Sequence, residues 1–288
     1  MRLTNEAAAT AARILGKCCT EMKNSAPWRW NCAAQNGQRV SFDASVEEGF
    51  LQLSAGAPMR GLNGCDLDRA LLRNGTLSGG VRYVLDPSGR ELQLRADIVI
   101  VDDLQLADRV HLALLGIYQG QRQFDELGAP AAAQRDRAQN SKPARLTELL
   151  SESCWSFTER APNEFAVSLR VDSAPPALIA TNGQGVELSV ELVRRDSQES
   201  LGLRAVSVFL LAASRNLRLA RARFSDRDGQ RIFGFHVCLP ASAVADEVDH
   251  ALNALSLAYR RCAREAAVLL DQRTAQYYLS AREIEEGD

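Results

Sequence analysis

Two stretches of the chain share one pattern, 86-DPSGRELQLRADI-98 and 226-DRDGQRIFGFHVC-238. Each has an aspartate, a glycine three residues later, and then a run in which apolar residues tend to alternate with polar ones. A polar turn followed by alternation predicts a β-hairpin. A Leu- and Ala-rich stretch with helical spacing follows each hairpin. The recurrence suggests that the chain contains one folding unit twice.

The strand candidates that precede these hairpins repeat as well. Three successive pairs keep one constant offset along the chain: 28-WRWNCAA-34 with 165-FAVSLRV-171, 40-VSF-42 with 177-ALI-179, and 51-LQL-53 with 188-LSV-190. Later elements correspond at slightly larger offsets: Asn74 with Asn216, Leu77 with Leu219, Gly89 with Gly229, and the helical stretches 104–118 with 244–259. Loop insertions explain such drift. The chain is therefore predicted to be a tandem duplication.

A polar segment separates the two predicted copies. The stretch 128-GAPAAAQRDRAQNSKPA-144 is rich in small and polar residues and has a proline near each end, which is typical of a linker. We expect unit 1 over residues 1–127, the linker over 128–143 and unit 2 over 144–288. Because no glycine or proline interrupts residues 242–280, unit 2 is predicted to end in one long helix.

Each unit is predicted to have the element order α-β-β-β-α-β-β-α. Apolar residues with helical spacing open each copy, and Pro27 and Pro162 are expected to close these first helices. Asn-Gly pairs at Gly37 and Gly183 predict tight turns between strands. Hairpin connections favour mostly antiparallel sheets and the α+β fold class. The two copies are expected to pack as a pseudo-dimer, as two chains would.

Composition argues against several classes of partner. The net charge is −2 with no block of like charge, and aromatic residues make up 6% of the chain, so no nucleic-acid surface is predicted. No stretch approaches the roughly 20 apolar residues of a membrane span, and no secretion signal is recognisable. We expect a soluble, cytoplasmic protein without a membrane partner. The seven cysteines are irregularly spaced and lack a CxxC pair, which favours reduced thiols.

The element order, the turn glycine, the alternating strand and the closing Leu/Ala-rich helix together resemble the class I type III secretion chaperones. They also resemble the related YbjN-type bacterial proteins. The resemblance covers about residues 5–122 and 144–280 and rests on the paired positions given above. It implies a non-enzymatic protein that holds an extended segment of a secreted effector, or of another polypeptide, without ATP. Family members are generally small homodimers and many are acidic, whereas this near-neutral chain carries two units. It is therefore expected to be a monomeric pseudo-dimer or a homodimer.

Motifs for catalysis or cofactor binding are absent from the sequence, including GxSxG, Walker A, HExxH and GxGxxG after a strand. His236, which corresponds to Ala96 when the two turn glycines are aligned, is interpreted as a structural strand residue. Asp246 and His250 have i, i+4 spacing, but two such residues on a polar helix face do not predict a metal site. The pair Asp102-Asp103 is interpreted as a helix N-cap. We predict no catalytic residue, no cofactor and no metal.

Four residues are candidates for a protein-binding surface. Trp28 and Trp30 point to one side of a predicted strand, and Phe165 and Val167 take their places in the second copy. Such residues either pack in a core or interface, or anchor a peptide at a sheet edge or groove. The first hypothesis is a non-enzymatic protein-binding module. The alternative is a regulatory or structural scaffold of the YbjN type that assembles through its C-terminal helix, and an enzyme of unknown type is the weakest hypothesis.

Overall fold

The fold is described from a computed structural model of the chain. The structure describes residues 2–23, 28–33, 39–47, 49–57, 64–86, 88–100, 103–122, 146–181, 185–196 and 200–282. The chain divides into two compact units, Met1–Leu127 and Gly128–Asp288. The predicted linker over 128–143 lies outside the described residues. Packing of the two units as a pseudo-dimer stays a prediction.

Unit 1 contains three helices and six strands among its described residues. Their order is α1 (Arg2–Cys18), β1 (Cys19–Lys23), β2 (Trp28–Ala33), β3 (Arg39–Glu47), β4 (Phe50–Gly56), α2 (Gly64–Asn74), β5 (Arg82–Leu85), β6 (Leu92–Val99) and α3 (Asp103–Arg122). A short 3-10 turn, Ser78–Gly80, leads from α2 towards β5. Helix α3 begins at Asp103, the second residue of the predicted Asp102-Asp103 N-cap. Asp102 itself lies outside the described residues.

Unit 2 contains four helices and six strands among its described residues. Their order is α4 (Leu146–Ser151), β7 (Phe157–Ala161), β8 (Glu164–Val167), β9 (Ala177–Thr181), β10 (Gly185–Asp196), α5 (Leu201–Ala213), β11 (Arg221–Arg227), β12 (Gln230–Pro240), α6 (Ala245–Val268) and α7 (Gln272–Ser280). A 3-10 turn, Ser214–Asn216, follows α5 directly.

The two units build their sheets in the same way. The strands lie in the order β1-β2-β3-β4-β6-β5 in unit 1 and β7-β8-β9-β10-β12-β11 in unit 2. Every neighbouring pair of these strands is antiparallel. The three strand pairs matched at a constant offset in the sequence occupy equal sheet positions, β2 with β8, β3 with β9 and β4 with β10. The chain therefore has the α+β fold, with one sheet topology present twice.

Each unit has one strand more than the predicted order. Strands β1 and β7 precede the first predicted strands and form one edge of their sheets. Helix α1 ends at Cys18 and α4 ends at Ser151, well before the prolines that were expected to close them. Pro162 lies with Asn163, whose φ is 61°, in the two-residue turn between β7 and β8. Strand β7 is almost wholly exposed, so it has no apolar alternation that would reveal it.

The core of unit 1 lies between its sheet and two helices, α1 and α3, which contact each other and the sheet. Buried residues in register across the strands form apolar rows on this face: Trp30, Phe42, Ala55, Leu94 and Tyr83, and then Ala44, Leu53 and Ala96. The hydroxyl of Tyr83 donates to the carbonyl of Gly120 in α3 at 2.6 Å. Burial raises the pKa of Tyr83 more than nearby Arg73 lowers it, so the hydroxyl remains a donor.

The core of unit 2 follows the same plan, with α6 packed on β10 and β12. Its buried rows are Phe165, Ile179, Leu188 and Val237, and then Val167, Ala177, Val190, Phe235 and Ala222. Helix α5 is buried on most of its sides and contacts both α6 and α7. Its apolar composition, LGLRAVSVFLLAA, is that of a helix enclosed by other elements.

The hairpin of unit 1 turns around the carboxylate of Asp86. This carboxylate accepts hydrogen bonds from the backbone N–H groups of Ser88, Arg90 and Glu91 at 2.9–3.1 Å, and from the Ser88 hydroxyl at 2.6 Å. The N–H of Gly89 donates to the Asp86 carbonyl at 3.0 Å, as in a β-turn. The polar residues before the alternating strand therefore form a self-contained turn and not a ligand loop.

The hairpin of unit 2 turns on two residues alone. Strands β11 and β12 continue to Arg227 and Gln230, which pair directly. Asp228 and Gly229 between them have φ values of 52° and 74°. Two successive positive φ values are typical of a type I′ turn, whose twist suits a two-residue hairpin. Asp226, the first residue of the polar turn expected from the sequence, therefore belongs to β11, and the turn itself consists of the Asp-Gly pair alone.

Sheet register changes the counterpart of His236. Arg82 lies opposite Arg95 across the first hairpin, and Arg221 lies opposite His236 across the second. His236 therefore takes the position of Arg95 and not that of Ala96. Because successive strand residues face opposite sides of a sheet, this difference of one residue places His236 on the face away from the helices.

Asn74 and Asn216, matched in the sequence, have different surroundings. The buried side chain of Asn74 accepts from the Tyr83 N–H at 2.6 Å and donates to the Tyr83 carbonyl at 3.3 Å. Strand β5 is an edge strand, so these bonds satisfy main-chain groups that face away from the sheet. Asn216 is exposed in the 3-10 turn after α5. Asn74 and Asn216 are therefore alike in sequence position but do not have the same structural role.

The predicted long helix over 242–280 is two helices. Helix α6 ends at Val268, and α7 begins at Gln272 after a turn. The carboxylate of Asp271 accepts from the N–H and the hydroxyl of Thr274 at 2.9 and 2.8 Å, which caps the new helix. Helix α7 then packs on α5. The helical pattern of residues 242–280 is therefore interrupted without glycine or proline, by an N-cap aspartate that begins a second helix.

We expect Asp86→Asn to reduce the loss of folding stability that unit 1 undergoes at low pH. Burial raises the pKa of Asp86, but the hydrogen bonds from Ser88, Glu91 and Arg90 outweigh it and lower this pKa from 3.8 to about 2. A carboxyl group whose pKa is lower in the folded state than in the unfolded state stabilises the fold at pH values above its unfolded-state pKa. This stabilisation is lost as the pH falls through the folded-state pKa. Urea denaturation should show the wild type losing more stability than the variant between about pH 4 and pH 2. Equal losses in both proteins would contradict the prediction.

Candidate functional site

Three of the four predicted binding residues belong to the cores. Trp30, Phe165 and Val167 are 3%, 2% and 0% exposed. The ring of Phe165 meets that of Phe157 edge to face, with centroids 5.8 Å apart. These three side chains therefore pack inside their units and offer no exposed surface to a partner. The side chain of Trp28 lies outside the described residues, and its role as an anchor stays a prediction.

The sheet face of unit 1 away from the helices carries a buried ionic cluster. Asp97 pairs through one carboxylate oxygen with Arg82, and through the other with Arg95 at 3.2 Å. The side chains of Arg82 and Asp97 are fully buried, and that of Arg95 is 16% exposed. A second pair on this face, Arg29 with Asp43 at 2.8 Å, is more exposed. Because two guanidinium groups engage Asp97, this cluster ties β5 to β6 and does not present an acid–base group.

Unit 2 carries a different polar set on the corresponding face. Arg221 and His236, opposite each other, are 1% and 0% exposed. Arg223 of β11 pairs with Glu187 of β10, across β12. On β6, Asp97 lies two residues after Arg95 and on the same face of the sheet. The residue in this position of β12, two residues after His236, is Cys238, so unit 2 has a thiol in place of the carboxylate. The ionic cluster of unit 1 is therefore not repeated in unit 2.

The three histidines lie on three different elements. His236 is buried in β12, whereas His111 on α3 and His250 on α6 are exposed. Within the described part of the chain, no group of three His, Cys, Asp or Glu side chains is arranged to hold a metal ion. Asp246 and His250 accordingly remain a helical pair without a third ligand among those residues.

An apolar pocket lies in unit 2 between α5, α6 and α7. Its volume is about 260 Å³, and it is lined by Phe209, Arg264, Glu265, Val268, Leu269 and Tyr278. Sites for drug-sized ligands commonly occupy roughly 300–1,000 Å³. The pocket is therefore of a size for one or two apolar side chains of a polypeptide. Among the described surfaces it is the candidate functional site.

Two charged residues of opposite sign, Arg264 and Glu265, line this pocket together with apolar and aromatic side chains. Val268 in the lining is 52% exposed, and Tyr277, which precedes Tyr278 in the chain, is 79% exposed. The guanidinium of Arg282 lies 4.6 Å from the centre of the Tyr278 ring. Burial raises the pKa of Tyr278, so its hydroxyl is neutral beside that cation. Residues 260–282 contain five arginines and two carboxylates, and residues 283–288 add four more carboxylates.

Sequence reasoning missed this pocket. Phe209 is far from Tyr278 along the chain, and the two meet only because α7 folds back onto α5. A local signal was present in the pair 277-YY-278. Adjacent residues on a helix face different sides, so a helix that buries one tyrosine against its neighbours exposes the other.

No known family model and no curated protein matches this chain. None of the helices in the described ranges combines the length and apolar character that a membrane crossing needs. We therefore base the proposed function on the pocket and its surroundings.

We expect Asp97→Asn to destabilise unit 1 by about 3–5 kcal/mol, because it leaves the buried Arg82 without its countercharge. The matched control is Asp43→Asn, which breaks the more exposed pair on the same sheet face and should leave the free energy of unfolding nearly unchanged. Urea denaturation of the full chain measures both. Replacing the pair together, with Arg82→Met and Asp97→Leu, should recover most of the loss. An Asp97→Asn cost as small as that of the control would contradict the prediction.

Proposed function

We propose that this chain is a non-enzymatic protein-binding module that holds a segment of a partner polypeptide. The supporting observation is the pocket between α5, α6 and α7, which is lined in part by the half-exposed side chain of Val268. At protein interfaces, the side chains that contribute most binding energy commonly insert into small, well-packed pockets of the partner. Tyrosine and arginine, which surround this pocket, are also the residues that most often carry binding energy at interfaces.

The energetics require a partner segment that extends beyond the pocket. Burial of one large apolar side chain contributes about 1.5–3 kcal/mol, whereas micromolar binding requires about 8 kcal/mol. The additional contacts would come from Tyr277 and from the arginines of α6 and α7. Because Arg264 lines the pocket and Arg282 lies over Tyr278, we propose a partner segment that has an apolar anchor and a carboxylate near it.

The resemblance to type III secretion chaperones and YbjN-type proteins supports the same class of function. Under this proposal the two units act together as a pseudo-dimer or as part of a homodimer in the cytoplasm. The partner is a secreted effector or another polypeptide, and binding requires neither a cofactor nor a chemical step. The pocket on unit 2 makes the two copies unequal, so one chain is expected to present one such anchor site.

We expect Val268→Glu to reduce partner capture by at least about tenfold, because it places a charge in the apolar pocket. The experiment is affinity capture from a lysate of the native host, with quantitative mass spectrometry of proteins retained by wild type and variant. Val244→Glu is the matched control, since Val244 is 56% exposed and lies about 36 Å away at the other end of α6. A partner lost with both variants, or with neither, would contradict the assignment to this pocket. Reproducible turnover of a small molecule with no protein partner would overturn the proposed function.

A scaffold that assembles through its C-terminal helices is the second candidate. The observation in its favour is that the exposed pocket residues lie mainly on α6 and α7. Sedimentation equilibrium at several protein concentrations distinguishes the two functions. Self-association that Val268→Glu abolishes and Val244→Glu leaves intact would favour the scaffold, whereas a monomer throughout favours capture of a different polypeptide.

A further inference from the structure

Cys19 and Cys32 lie opposite each other on neighbouring strands. The register of β1 and β2 pairs Cys19 with Cys32, and the irregularity in this ladder comes only after Glu21. Directly opposed residues of antiparallel strands direct their side chains to the same face, with Cα atoms about 4.5 or 5.5 Å apart. Disulfides join residues whose Cα atoms are roughly 4.4–6.8 Å apart. The backbone of this pair is therefore already suited to a disulfide.

Cys19 and Cys32 are both only partly buried. A small oxidant in solution can consequently reach the pair. Cys262 is the contrasting case, because it is 2% exposed within α6 and burial raises its pKa to about 12. A thiol of that kind provides almost no thiolate and is unreactive.

We propose that Cys19 and Cys32 form a reversible disulfide in response to low-molecular-weight disulfides such as oxidised glutathione. One cysteine, as its thiolate, attacks a sulfur of the oxidant and forms a mixed disulfide, and the first reduced thiol leaves. The second cysteine then attacks the protein sulfur of that mixed disulfide, and the second reduced thiol leaves. Two protein thiols are oxidised, one disulfide of the oxidant is reduced to two thiols, and the protons pass to the released thiols.

The position of the pair determines what the bond does. Strand β1 is an edge strand that follows α1 without an intervening residue, since Cys18 ends the helix and Cys19 begins the strand. A Cys19–Cys32 bond ties this junction to β2 and prevents the edge strand from separating. In unit 2 the corresponding strands β7 and β8 contain no cysteine, so among the described strands this disulfide is possible only in unit 1. It is independent of the pocket in unit 2 and of the function proposed for it.

The test uses the full chain incubated with oxidised glutathione, followed by acid quenching, alkylation of remaining thiols and tryptic mapping. Trypsin releases CCTEMK (18–23) and WNCAAQNGQR (30–39), so the disulfide joins two short peptides. We expect this joined species to appear with Cys18 alkylated, and to disappear on treatment with dithiothreitol. Fragmentation of the wild-type peptide distinguishes Cys18 from Cys19 even if a variant does not fold.

Serine variants test which cysteines form the disulfide. Cys19→Ser and Cys32→Ser should each abolish the joined peptide, whereas Cys18→Ser, which changes the adjacent thiol, should leave it. Oxidation should also raise the thermal midpoint of the wild type by several degrees, and that rise should be absent from Cys32→Ser. A bond to Cys18, an intermolecular bond, or glutathione adducts without the joined peptide would each overturn the proposal.

Discussion

The ion pair between Arg82 and Asp97 holds the closing hairpin of unit 1 in one register. Both side chains are fully buried. A slip of one residue would turn Asp97 to the other face of the sheet and leave a buried guanidinium without its countercharge, a change that costs several kcal/mol. The same register turns Leu94 and Ala96 towards the helices. The apolar rows under α1 and α3 therefore depend on a pair that lies on the opposite face.

The second unit keeps the topology but not this interaction. Its hairpin closes on an Asp-Gly turn, and Arg221 faces His236 where Arg82 faces Arg95. What the two units share is the order of six antiparallel strands and the apolar rows on the helix side. Apolar rows tolerate exchange of one hydrophobic residue for another as long as volume and alternation are kept. Polar positions, which depend on individual partners, have diverged.

The features proposed to be functional lie where the copies differ. The pocket requires α7, which has no counterpart among the described residues of unit 1. The cysteines opposed on β1 and β2 are not repeated in unit 2, where β7 and β8 contain no cysteine. A duplicated fold thus supplies two similar frameworks, and the distinctive chemistry of each depends on a few residues outside the shared rows.

The sequence by itself determined the duplication, the closing hairpins and the α+β class. Alternation, turn residues and constant offsets can all be read along the linear chain without knowledge of which residues meet in space. It did not reveal β7, whose exposed residues pair with a strand without burying an apolar face. Nor did it show that Trp30, Phe165 and Val167 are buried, since alternation marks two faces without saying which one the helices cover. Tertiary structure also decided the face of His236 and the pocket. Both depend on strand register and on the return of α7 to α5, which bring together residues that are distant in the chain.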